Sequence, residues 1–146
     1  MKKRWMKVVI IFLLLPILYF GWKFYQDATR SIVSVKDLGN ISLVEKNGEL
    51  FLTGDVNLTN FERVSNVGAI QQNDTLYIYV MKTKSLKKES YLNENITRLM
   101  ISDRSTEAEE ILLVSGGEIV VEDKKTPNAS YIDVTRYSDK KVLSDK

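Results

Sequence analysis

The chain has 146 residues, 44% hydrophobic and 27% charged, with a formal net charge of +2 and neither cysteine nor histidine. Without cysteine there is no disulfide, no lipidated N-terminal Cys and no palmitoylation site. Without histidine the commonest general base, the commonest metal ligand and the physiological pH switch are gone, and Ser-His-Asp or Cys-His catalysis is impossible within the chain.

Residues 8–22, VVIIFLLLPILYFGW, carry no charge. As a helix they would cover about 22 Å at 1.5 Å per residue, short of a hydrocarbon core about 30 Å thick. The flanks make up the difference. Trp5 and Met6 extend the run on one side, Phe24 and Tyr25 on the other, and Lys7 and Lys23 can keep their ammonium groups in water while their stems lie along apolar surface. No helical face is polar, which argues against a helix lying on the membrane surface. Pro16 is tolerated in membrane helices. Lys2, Lys3, Arg4 and Lys7 precede the run, so the N-terminus is expected in the cytoplasm and the C-terminus outside the cell membrane. Two readings fit such a segment, an uncleaved signal anchor and a cleaved signal peptide. The small-x-small match that a signal peptidase would need is confined to Thr29-Arg30-Ser31, far from the apolar run, so the uncleaved anchor is the expectation.

The anchor also explains the charge. Setting aside Lys2, Lys3, Arg4, Lys7 and Lys23 leaves 16 basic residues against 19 acidic ones, a net of −3 for the rest. The basic balance is thus part of a membrane address, and nucleic acid is not an expected partner. The expected organisation is a basic tip and transmembrane anchor over 1–25, a stalk over 26–31, one extracytoplasmic β domain over 32–137, and a polar tail over 138–146.

Along the domain, SIVSVKDL predicts a first strand. ISLVEK-NG-ELFLTGDV predicts a two-residue hairpin, since Asn47-Gly48 suits a turn with positive φ at both positions. That register sets Lys46 opposite Glu49, Val44 opposite Phe51 and Leu43 opposite Leu52. A second hairpin turns at Asn73-Asp74, with Ile70 facing Tyr77 and Val67 facing Val80. Residues 82–95 read as a polar connection, ITRLMIS as a short strand and DRSTEAE as a loop, with TEAEEILL able to form one helical turn. EILLV-SGGE-IVVE predicts a third hairpin at Gly116-Gly117, the most apolar and so the deepest. SYIDVTRY suits an eighth strand, and the last nine residues read as a frayed tail. Short strands with turn signals at near-regular spacing predict an all-β fold, a small antiparallel β-sandwich or barrel of seven to eight strands after one transmembrane helix.

From Asp74 to Glu122, the sequence DTLYIYV, a polar loop with Ser and Lys, a short strand and EEILLVSGGEIVVE resembles the C-terminal half of small exported, membrane-anchored β-domain proteins of Gram-positive bacteria that have no assigned function. The resemblance covers about a third of the chain. It implies a location in the cell envelope and a fold class, and it carries no functional residue across. This chain departs from the lipoprotein members in having no Cys.

Lys82, Lys84, Lys87 and Lys88 are the basic cluster outside the anchor, a candidate contact for anionic lipid headgroups or wall polymers; solvated, they would equally deter edge pairing. Ser85-Leu86-Lys87-Lys88 matches S-x-x-K, but the S-D-N and K-T-G partners of that chemistry are missing. Glu107, Glu109 and Glu110 read as a solvated loop. Tyr77 and Tyr79 read as packing residues. Asn40, Asn57, Asn73, Asn95 and Asn128 begin N-x-[ST]; in a eukaryotic secretory pathway these would be glycan acceptors on surface loops, whereas in a bacterium, the reading that the absence of Cys favours, they reflect turn and strand composition. No catalytic, cofactor or metal residue is expected. The expected partners are the lipid bilayer through residues 8–22 and an envelope protein or anionic wall polymer. The expected role is a non-catalytic envelope accessory or protein-binding module. The alternatives are a soluble factor released by signal cleavage and a small carboxylate-dependent hydrolase.

Overall fold

The computed structural model describes residues 2–102, 108–116, 119–122 and 130–145. The apolar N-terminal run folds as one continuous helix, α1, Lys2–Ala28, with Pro16 inside it. It is long and apolar enough to cross a membrane by length and composition. From Trp5 on its side chains stay exposed until Trp22, which is half-buried, and Gln26, which is buried. After it come β1 (Ser31–Ile32), a 3-10 turn over Val35–Asp37, β2 (Ser42–Lys46), β3 (Glu49–Asp55), β4 (Glu62–Gln72), β5 (Thr75–Lys84), β6 (Tyr91–Asn95), a single helical turn α2 (Ile96–Leu99), β7 (Met100–Ser102), β8 (Glu110–Ser115), β9 (Val120–Glu122), β10 (Ser130–Asp133) and β11 (Asp139–Asp145).

The larger sheet runs β11-β8-β5-β4-β7, with β1 paired to β5 as well. β2-β3-β6 form a second sheet, and β9 and β10 pair with each other. The body is β-rich and mixed, and the larger sheet does not close into a barrel. The expectation of a purely antiparallel arrangement is therefore corrected. β4 pairs with β7 and β5 with β8 in parallel, and eleven strand elements occur among the described residues. Parallel neighbours need long crossovers, and the segment holding β6 and α2 supplies them.

Local turn chemistry sets the two hairpins as expected. Asn47 and Gly48 sit at φ of 55° and 76°, and Lys46 faces Glu49, Val44 faces Phe51 and Leu43 faces Leu52. Asn73 sits at φ 55°, and Ile70 faces Tyr77 while Val67 faces Val80. The third expected hairpin is not seen among the described residues, since β8 and β9 do not pair with each other. β8 pairs with β11 and β5, whereas β9 pairs with β10. The physical reason lies in the apolar content of β8. Ile111, Leu112, Leu113 and Val114 are all buried, and a strand apolar on both faces belongs inside a sheet covered on both sides.

β5 shows the same two-faced burial. Side chains alternate along a strand, so Leu76, Ile78 and Val80 enter one cluster with Val67, Ala69, Ile111 and Leu113. Leu52 and Leu92 from the second sheet and Ile96 from α2 complete that cluster, so the two sheets share one core. On the opposite face Tyr79 and Met81 pack with Leu112, Val114, Ile119 and Val134. Tyr77 packs against the same face and stacks at 6.2 Å from Tyr137.

Four further expectations change. The tail is β11, registered on β8 from Asp139↔Ser115 to Asp145↔Glu110 with a bulge between Val142 and Ser144; a buried strand such as β8 cannot leave its edge groups unpaired. The connection 82–95 contains the end of β5 and all of β6, which pairs with β3 from Phe51↔Asn95 to Asp55↔Tyr91. ITRLMIS divides into α2, whose cap is the Asn95 side chain accepting from Arg98 N–H at 3.2 Å, and β7. Only Ser31–Ile32 of the first expected strand is extended and paired, because Ser34 caps the 3-10 turn that follows. The TEAEEILL alternative and Asn128 fall partly or wholly outside the described residues, and Glu110–Leu113 of the former is strand.

Candidate functional site at the helix–sheet junction

Residues 26–31 were expected as a stalk. They are instead the last turn of α1 and the start of β1, joined to the end of β5. A helix leaves its last carbonyls without internal partners. Here the Thr83 hydroxyl donates to the Gln26 carbonyl. The Thr29 hydroxyl donates to the Tyr25 carbonyl at 2.8 Å and lies 3.3 Å from the Thr83 hydroxyl. In return the Gln26 side-chain amide donates to the Lys84 carbonyl at 3.1 Å. Arg30 is buried and pairs with Asp27 at 2.8 Å. The helix therefore passes into the sheet without a linker. β1 enters antiparallel to β5, Ser31 on Lys82 and Ile32 on Met81, so the C-terminal end of β5 is the end that faces α1.

Beside this joint lies a carboxylate holding two of the four lysines of the sequence cluster. Glu62 is buried at the start of β4. Its carboxylate is 3.2 Å from Lys82 Nζ and 3.2 Å from Lys84 Nζ, and it accepts the Thr59 N–H at 3.1 Å. Burial alone would raise its pKa. The hydrogen bonds from Thr59, Lys84 and Lys82 outweigh that and hold it at about 2. At neutral pH this group is ionised and shared between the two lysines, an internal ionic strut.

Lys87 and Lys88 are placed differently. Both are exposed, in a tip between β5 and β6. The tip is fixed at its base: Ser85 N–H donates to the Phe61 carbonyl at 2.9 Å, and Glu89 N–H to the Glu62 carbonyl at 3.3 Å. Within it the Ser85 hydroxyl accepts the Lys87 N–H at 3.3 Å, an ordinary Ser turn, which is where the S-x-x-K match falls. Two large apolar side chains share the tip, Phe61 at 66% exposure and Leu86 at 79%. The four-lysine patch thus separates into a pair on a buried carboxylate, Lys82 and Lys84, and an exposed pair, Lys87 and Lys88, with no ion pair among the described residues.

Elsewhere, Tyr79 is buried, and burial pushes its phenol up to about 12. Its ring covers Gly68, the residue opposite it in register, and a Cβ at position 68 would lie 1.8 Å from Tyr79 Cζ. Both tyrosines of the β5 stripe are therefore packing residues. Glu109 is exposed and donates its N–H to the Asp74 carbonyl at 2.7 Å; Glu107 lies outside the described residues. Among the described residues no three Asp or Glu side chains converge as a metal site would require.

Gln26, Thr29, Thr83 and Glu62 were not singled out from the sequence. The available signal was Thr83, a small polar residue on the inward period of β5 where Tyr79 and Met81 are apolar. A buried hydroxyl at that position demands an acceptor, and the helix end provides it. No protein-family model matches the chain, and no curated protein or solved structure shows significant similarity to it.

Proposed function

We propose that this protein is a single-pass membrane protein of a Gram-positive cell envelope, with its N-terminus in the cytoplasm and its β domain held against the outer face of the membrane. The domain serves as a non-catalytic envelope accessory, a tethered binding or assembly module. The observation that carries the reading is the joint between α1 and β5. A signal peptide is dispensable to the fold it exports, but here Gln26 and Thr29 bond Thr83 and Lys84 in the sheet. Cleavage after Ser31, at the Thr29-Arg30-Ser31 match, would strip those partners from the end of β5. The run of Lys2, Lys3, Arg4 and Lys7 supports the orientation. The test is alkaline carbonate extraction of membranes together with protease treatment of intact cells carrying a C-terminal tag. The protein is expected in the pellet with the tag digested. A carbonate-soluble protein would favour the released factor, and a protected tag would reverse the topology.

A further inference from the structure

Two exposed apolar side chains, Phe61 and Leu86, and two exposed lysines, Lys87 and Lys88, stand together at the end of the sheet nearest α1. We propose that the tip formed by Phe61, Leu86, Lys87 and Lys88 docks into the outer phospholipid headgroup layer of the membrane that α1 crosses, fixing the orientation of the β domain. This rests on the membrane-spanning reading of α1 given above. From Trp5 to Gln26 the helix rises about 32 Å, and the hydrocarbon core is about 30 Å thick. With Trp5 at the cytoplasmic interface, Gln26 therefore reaches the outer edge of that core.

Gln26 is bonded to the Lys84 carbonyl, and Leu86 is two residues further, at most about 7 Å of chain. Phe61 is held alongside by the Ser85 bond to its carbonyl. The headgroup layer is itself only about 5–7 Å deep on each side, so the tip lies within reach of it. The side chains suit that depth. Phe and Leu enter the acyl boundary, while lysine ammonium groups stay with lipid phosphates. Local charge is favourable as well. The buried carboxylate here among the described residues, Glu62, is already taken by Lys82 and Lys84. Glu89 follows the two exposed lysines, but Lys23 lies exposed one turn before Gln26, so the rim remains cationic.

The absence of native cysteine allows a clean test. Full-length protein carrying Leu86→Cys or Asp74→Cys is labelled with an environment-sensitive fluorophore and reconstituted in phosphatidylcholine vesicles containing phosphatidylglycerol. Asp74 is exposed at the opposite end of the β4–β5 hairpin, about 33 Å away along the strand. The label at position 86 is expected to shift to the blue and to be quenched by nitroxide lipids, and the label at position 74 to do neither. Lysines near an anionic surface each favour docking by roughly fivefold, so Lys87→Glu with Lys88→Glu should lower the docked-to-undocked ratio by at least that factor. A label at position 86 that stays in water, in vesicles that retain the protein through carbonate, overturns the docking and leaves the anchor standing. Loss of the protein to carbonate overturns the anchor as well. A response at position 86 to soluble poly(glycerol phosphate) but not to vesicles overturns the proposal in favour of a wall polymer.

Discussion

Replacing Glu62 by glutamine isolates the contribution of one buried charge. Glutamine keeps the size and an oxygen to accept the Thr59 N–H, but it removes the charge that Lys82 and Lys84 share. The carboxyl is held at about 2 against an ordinary 4.5. At 1.36 kcal/mol per pKa unit this corresponds to about 3 kcal/mol of stability at neutral pH. The Lys84 side chain is 42% exposed, so solvent screening reduces its share, and about 2 kcal/mol is the expected loss for Glu62→Gln. Because the folded pKa is depressed, the stabilisation is complete above 4.5 and is lost as pH falls from 4.5 towards 2. Urea unfolding of the full-length chain in detergent micelles, followed by circular dichroism at several pH values, measures it. The two proteins should differ at pH 7 and converge through that acid window. A difference that is absent at neutral pH, or that persists unchanged below pH 2, would refute the assignment of the charge cluster.

Gly48→Val places a β-branched residue at φ 76° and should cost about 1–3 kcal/mol in the same unfolding assay; an unchanged midpoint would contradict the turn. Gly68→Ala should displace the Tyr79 ring, destabilise by about 1–3 kcal/mol and return the phenol from about 12 towards its ordinary 10 in an ultraviolet titration. Since the folded Tyr79 pKa is raised, wild-type stability should decline as pH rises from 10 to 12, and Tyr79→Phe should remove that decline. Ending the chain at Ser138 removes β11 and bares the β8 edge. Lower stability and concentration-dependent aggregation are expected, and a monodisperse, equally stable truncation in light scattering would show the strand to be dispensable.

The sequence was most informative where structure is decided locally. Asn47-Gly48 and Asn73-Asp74 determined both their turns and the registers beyond them, because a two-residue loop leaves the pairing little freedom. The apolar helix was readable from length and charge alone. What was not readable depends on partners distant in the chain. The run from Glu110 to Ser115 resembles half of a hairpin, and no local feature says that β11, not β9, covers its edge. SDKKVLSD reads as a polar tail because Lys140, at an exposed position of an edge strand, looks the same in sequence as it would in a coil. Parallel pairing of β4 with β7 and β5 with β8 is a property of the crossover and leaves no period in the sequence. The lysine cluster was visible as a composition, but its division into two pairs depended on Glu62, twenty residues before Lys82. Gln26 and Thr29 looked like a linker because their partners in β5 lie more than fifty residues away.

The continuity of α1 with the sheet is the claim on which the location, the orientation and the docking tip all depend. Its most direct measurement is the mass of the mature N-terminus of the protein recovered from membranes. A chain beginning at Met1, or at Lys2 after methionine removal, is the expected result. A mature protein beginning near Ser31 or Ile32 and found in the medium would contradict it, since Gln26 and Thr29 would then be absent from the folded molecule.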